Sequence, residues 1–259
     1  MQGVTGYAQT DLYPSTFHLR DVRLLEGPFR HAQELNVSVL LKYDVDRLLA
    51  PYRKEAGLPP KAESFPNWLG LDGHILGHYL SAMAIHYAST GKPEFRERME
   101  YIVAELKACQ IANGIKHPDW GVGYVGGVPH GKGLWPEIKA GNTARIWDYW
   151  VPWYNVHKTF EGLKDAWYYG GSEDALKVFL KFCDWAINLT SGLTDTQMEA
   201  MLANEHGGMN EVLAHAYKMI SEDKYLVAAK RFSHKYLLNP MAEGIDMLEN
   251  LHANTQIPK

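Results

Sequence analysis

Cysteine is nearly absent from this 259-residue chain, which has only Cys109 and Cys183. That excludes a disulfide framework and a CxxC metal pair. Cys109 continues the helical stripe of Met99, Ile102, Val103 and Leu106, and Cys183 sits among Val178, Phe179, Phe182 and Ile187. Both read as small buried hydrophobes, not as ligands or nucleophiles. Long apolar runs are missing too. No stretch approaches the ~18 residues of a membrane span, so no membrane partner is expected. Nor does one sign of charge dominate: 26 Lys and Arg against 30 Asp and Glu leave a net −4. That balance offers no electrostatic footprint for nucleic acid. No GxGxxG or GxxxxGK[ST] stands in a strand–helix context, and no GxSxG elbow occurs, which removes nucleotide cradles and α/β-hydrolase chemistry. The opening MQGVTGYAQTDLYPSTF has no apolar signal-peptide core. A mature exported chain and a cytoplasmic one both fit that start.

What is abundant is flat aromatic surface, with 8 Trp and 15 Tyr. Such side chains fill cores and also cover sugar rings. Apolar residues recur at helical spacing over about 31–49, 68–89, 94–112, 152–169, 173–189, 208–220 and 224–237. Strand-like alternation is scarce. The expectation is an all-α chain of about seven helices.

The helices repeat in pairs. HYASTGKPEFRERM, AWYYGGSEDALKVF and AYKMISEDKYLVAA are three versions of one arrangement: an aromatic helix end, a short polar turn, then an acidic helix start. Short turns make antiparallel helix hairpins. The connections at 50–67, 113–151, 190–207 and from 238 onward are long. Stacked hairpins would gather the long loops at one end of the scaffold, where binding groups are usually carried.

Histidines lie at that end: His74 and His78, His157, and His206 just ahead of the third inner helix. His74 and His78 share a helix face, but Ile75 stands where a zinc-protease motif needs Glu. They read as structural rather than metal-binding. Asp72 reads as a pocket carboxylate or a cap. In ANEHGGMNEVLAHAY, Asn210 and Glu211 occupy a first helical turn whose N–H groups point outward. That segment alone could simply begin a helix, but with the polar groups of three other segments expected at the same end it reads as opening into a pocket. The aromatic loop with Trp120, Tyr124 and Trp135 covers a sugar or wraps the surface.

GHILGHYLSA, PWYNVHKTFEGL, EHGGMNEVLA and LHANTQIPK, in this order, resemble the DUF1680 proteins, the β-L-arabinofuranosidases of glycoside hydrolase families 127 and 146. The resemblance runs from FHLRDVRL at 17–24 to Lys259. It divides the chain into an N-terminal extension, 1–16, and a catalytic-domain portion, 17–259. It implies an (α/α)6 barrel followed by β-sandwich domains. About twelve helices make such a barrel, so the expectation is its N-terminal part, truncated at the C-terminal side. Exposed helix faces would then be covered by the missing half of the barrel or by self-association.

The resemblance also implies a retaining mechanism with a zinc-bound cysteine thiolate as nucleophile and a glutamate acid/base. Cys109 and Cys183 do not match the zinc ligands. Zinc is therefore expected through downstream Cys and Glu residues, and no catalytic or metal residue is carried over. Substrate contacts are expected from His157 and His252, from Asn210 and Glu211, and from His206, with Asp72 from the residue-level reading. Two further readings stand beside this one. In the first, Glu211 works with Asp72, Glu205 or Asp148 as the carboxylate pair of a helical-toroid glycosidase. In the second, the chain is a non-catalytic carbohydrate-binding helical module.

Overall fold

The computed structural model describes residues 16–66 and 71–259. Apart from Thr16, the expected extension 1–16 lies outside the described residues, as does the expected helix start at 68. All regular structure among the described residues is helical. A 3-10 turn, Leu19–Asp21, leads to α1 (Pro28–Leu40), α2 (Val45–Glu55), α3 (His74–Thr90), α4 (Pro93–Lys116) and α5 (Gly131–Lys139). A second 3-10 turn, Thr143–Asp148, precedes α6 (Pro152–Tyr168), α7 (Glu173–Thr190) and α8 (Asp195–Leu202). Then follow α9 (Met209–Ile220), α10 (Asp223–Arg231), α11 (Lys235–Ala242) and the single turn α12 (Ala253–Gln256). No helix among the described residues is long and apolar enough to cross a membrane.

The three short turns form hairpins for local reasons. Gly91 takes the left-handed conformation (φ 71°) after α3, and Pro93 starts α4. Gly171 (φ 71°) ends the α6 exit, and the Ser172 hydroxyl accepts the Ala175 N–H at 3.4 Å to cap α7. Ser221 fills the same left-handed role between α9 and α10. The hairpins stack in two layers. In the inner row α3 packs on α6 and α6 on α9; in the outer row α4 packs on α7 and α7 on α10. This is an arc of an α/α barrel. Its tightest seam joins α3 to α6, where a Cβ on Gly77 would lie 2.1 Å from the Lys158 carbonyl oxygen.

The stripe Trp153, Val156, Phe160 and Leu163 is fully buried between the layers. Phe160 stacks on Phe182 at 3.9 Å, and Trp153 lies 5.1 Å from Trp135 and 5.7 Å from Trp185. Burying such rings supplies most of the driving force for docking the hairpins. Cys109 and Cys183 are buried in the same core.

Four features differ from the sequence reading. The single helix at 31–49 is two helices, because Asp44 leaves the helical conformation and accepts the N–H groups of Asp46 and Arg47 as the cap of α2. The helix at 224–237 also breaks, at Phe232–His234, to give α10 and α11. The long connections are folded: 113–151 carries α5, and 190–207 carries α8, opened by the Thr194–Gln197 capping box. Eleven helices of eight residues or more thus stand among the described residues, where about seven were read for the chain. Finally, Trp120, Tyr124 and Trp135 are core residues. Asn113 donates to the Tyr124 and Val125 carbonyls and Gln110 to the Gly123 carbonyl, which folds the aromatic loop inward.

Candidate functional site

The inner helices α3, α6 and α9 begin at one end of the arc, and the long loops join them there. The loops cross-brace these starts. The Tyr52 hydroxyl on α2 donates to the Gly73 carbonyl at 2.7 Å, and Asn155 on α6 donates to the Gly127 carbonyl at 2.8 Å.

His157 lies one turn into α6 and is buried. Its ring is covered by the two glycines ahead of α9. A Cβ on Gly207 would lie 2.6 Å from His157 Nδ1, and one on Gly208 would lie 2.9 Å from Nε2. Gly207 also has φ +57°, a conformation side-chain-bearing residues rarely adopt. The paired glycines are thus required by the imidazole beneath them. Burial pushes the His157 pKa below the usual histidine range. His206 is completely buried, with Nδ1 3.2 Å from the Asn204 carbonyl oxygen. Burial, with Lys259 nearby, lowers its pKa to about 3. Both imidazoles are therefore neutral at pH 7, each with one donor and one acceptor nitrogen.

Polar side chains run down α6 from there. Glu161 Oε1 lies 3.7 Å from His157 Nε2, and Glu161 Oε2 lies 2.5 Å from Lys164 Nζ. Burial alone would raise the Glu161 pKa, but His157 and Lys164 together hold it at about 2. Lys158 stands over the Tyr154 ring at 4.3 Å. Burial lowers its pKa against the pull of Glu161, Glu205 and Glu211. His78 on α3 faces the same group: burial lowers its pKa, with Lys158, His74 and His157 around it. Four buried atoms here have no hydrogen-bond partner among the described residues: His157 Nε2, His206 Nε2, Asn210 Oδ1 and Glu161 Oε1. Buried polar groups are normally paired, so this concentration marks a place built to meet another polar molecule.

The expected residues fall into three groups. His157, His206, Asn210 and Glu211 gather at the α6–α9 entrance. Asn210 donates to the Lys259 carbonyl at 2.7 Å, and Glu211 is exposed with Oε1 3.6 Å from His215 Nε2. His252 is exposed at the cap of α12, where its carbonyl accepts the Thr255 N–H at 3.0 Å, and its side chain makes no hydrogen bond or ion pair among the described residues. The residues after it reach the site: Asn254 and Thr255 donate to Glu205 at 3.2 and 2.9 Å. Asp72 stands apart, in a cavity of 530 Å³ shared with Glu55, Lys54 and His130. Burial raises its pKa, against Lys54 and His130. Of the carboxylates weighed as partners for Glu211, Glu205 is near and Asp148 is paired with Arg145 instead.

His74 Nδ1 lies 2.6 Å from the Leu71 carbonyl oxygen, a structural bond as read. Lys158, Glu161 and Lys164 were not singled out from sequence, and His78 was read only as structural. Their signal was available: residues 154, 158, 161 and 165 are polar at helical spacing opposite the apolar stripe of α6.

The zinc ion implied by the family resemblance does not fit these residues. No group of three His, Cys, Asp or Glu is gathered for a metal among the described residues. Both cysteines are thiols deep in the core, and burial pushes Cys109 up to about 12. A zinc-bound thiolate needs the opposite setting.

A part of an α/α barrel with a cluster of buried polar side chains at the loop end is the class that the fold and site define. The family of β-L-arabinofuranosidase GH127 catalytic domains matches residues 21–259, and the chain belongs to that family. Among solved structures, a GH127 β-L-arabinofuranosidase from Geobacillus stearothermophilus T6 is similar at 15% identity and a TM-score of 0.48. The similarity covers 88% of this chain and 33% of that one, so the chain spans about a third of that enzyme's length. No curated protein matches.

Proposed function

We propose that this chain forms one wall of the sugar pocket of a β-L-arabinofuranosidase-like glycoside hydrolase acting on arabinose-containing glycans. The observation that carries the proposal is the set of orphaned buried atoms on His157, His206 and Asn210, gathered where α6 and α9 begin. Two neutral imidazoles and an amide offer both donors and acceptors, which is what the hydroxyls of a pentose require. Membership of the family supports the sugar as arabinofuranose. In this reading, the zinc-bound thiolate and the glutamate acid/base that the resemblance implies are supplied by residues other than those of this chain.

The test uses the full-length protein that carries this sequence, with a chromogenic β-L-arabinofuranoside as substrate. His157→Gln and Asn210→Ala are expected to raise KM at least tenfold. Unchanged kinetics in both would overturn the reading. Glu211→Gln separates the carboxylate alternative. A modest KM effect supports the pocket-wall reading, whereas complete loss of kcat supports Glu211 as acid or base.

A further inference from the structure

A second cleft lies at the other end of the arc, among the short turns. It encloses 440 Å³ between the Leu19–Asp21 turn, the α3–α4 turn at Gly91 and the α6–α7 turn at Gly170–Gly171. Three arginines line it: Arg20, Arg23 and Arg96. None forms an ion pair among the described residues, although Asp21 and Glu94 are close to them in sequence. Arg23 Nη1 donates only to the Leu19 and Val22 carbonyls, at 3.5 and 2.9 Å. Arg96 Nη1 donates to the Tyr87 hydroxyl at 3.3 Å. Arg20 has no hydrogen bond among the described residues. In a chain with more acidic than basic residues, three guanidinium groups around one cleft with no ion pair among the described residues need a reason.

The walls between the arginines are aromatic. Tyr87 lies under Arg96, with the guanidinium carbon 5.7 Å from the ring centre. On the facing side Tyr168 is 56% exposed. It packs edge-on to Tyr169 at 4.9 Å and lies 6.3 Å from His18. A guanidinium fork matches a planar carboxylate or a sulfate bidentately. A tyrosine face covers the apolar side of a sugar ring. The volume lies within the range of small-molecule sites.

We propose that this cleft binds an acidic saccharide, its carboxylate or sulfate held by Arg20, Arg23 and Arg96 and its ring laid against Tyr168 and Tyr87. The site shares no residue with the pocket at the loop end and does not depend on the function proposed for that pocket. Its position at the short turns leaves the loop end open.

Calorimetric titration of the full-length protein with trigalacturonate tests the assignment, with its methyl ester as the neutral control. Trigalacturonate is expected to bind, and the ester at least tenfold more weakly. Added salt is expected to weaken the first and not the second. The exposed pair Arg20→Gln/Arg96→Gln is expected to lose at least tenfold in affinity with an unchanged Tm, while His157→Gln retains it. A sulfated galactotriose binding more tightly than the uronate would assign the anion as sulfate within the same proposal. Equal binding of the neutral ester, unchanged affinity in the arginine variant, or inorganic phosphate binding as tightly as the saccharide would overturn it.

Discussion

Gly207 lies directly against the ring of His157, so close that a Cβ there would meet Nδ1 at 2.6 Å. The contact couples the loop before α9 to the buried imidazole of α6, and it explains why EHGGMN carries two consecutive glycines. Gly207→Ala must push the imidazole away or abandon φ +57°. A side chain in that region costs on the order of 1–2 kcal/mol by itself. The expected outcome is a folded protein whose Tm falls by a few degrees and whose KM for the arabinofuranoside rises at least tenfold. A variant with wild-type KM would show that the ring position does not matter to the sugar.

The α3–α6 seam supplies a sharper structural prediction. A methyl group at Gly77 would fall 2.1 Å from the Lys158 carbonyl oxygen and 2.6 Å from the Thr159 nitrogen, both rigid helical backbone. Neither helix can yield without separating the inner row. Gly77→Ala is expected to cost roughly 3 kcal/mol or more, in the range of severe overpacking. Gly192, with nothing within 4 Å of its would-be Cβ, is the control, and Gly192→Ala should remain within about 0.5 kcal/mol of wild type. Chemical denaturation of both variants decides the matter.

Glu55 carries the clearest pH prediction. It accepts the Tyr124 hydroxyl at 3.0 Å and the N–H groups of Gly127 and Val128 at 2.7 and 3.2 Å. Burial nevertheless outweighs these bonds and raises its pKa from 4.5 to about 8. The folded state thus binds a proton that the unfolded chain releases above pH 4.5. The stability it contributes is complete below that pH and is lost as pH rises through about 8. Glu55→Gln keeps the acceptor for the two backbone N–H groups and turns its amide toward Tyr124, whose hydroxyl can accept. The variant should lose less stability between pH 4.5 and 8, by an amount on the order of a few kcal/mol. Equal slopes of stability against pH in the two proteins would contradict it.

These cases also mark what was legible beforehand. The apolar stripe of α6, the three short turns and the gathering of long loops at one end were readable, because each depends on residues a few positions apart. The burial of Trp120, Tyr124 and Trp135 was not, because their partners come from elsewhere: Trp135 meets Trp153 and Trp185. Glu55 was equally silent, since its hydrogen-bond donors lie on a loop far along the chain. Asp72 and His157 looked alike as polar residues near helix starts. Only the placement of the loops puts one in the Glu55 cavity and the other beneath Gly207.

The last prediction concerns the two imidazoles. Burial is the largest influence on both, lowering His206 to about 3 and His157 below the ordinary histidine range. A histidine with a depressed folded pKa contributes stability above its unfolded pKa, near 6.5, and loses it as pH falls toward the folded value. Near pH 6, therefore, the His206 ring should still be neutral in the folded protein, and His157 should be less protonated than an ordinary histidine. NMR of the ring protons should show His206 unchanged from pH 8 to 5, and His157 titrating below the ordinary histidine value of about 6.5. Sugar binding that relies on neutral His157 should then be flat from pH 8 to about 6.5 and weaken in acid as that ring becomes charged. If His157 titrated at or above the ordinary histidine value of about 6.5, burial would not be controlling its protonation. A charged ring donates from both nitrogens, so the acceptor assigned to His157 would then be lost on protonation.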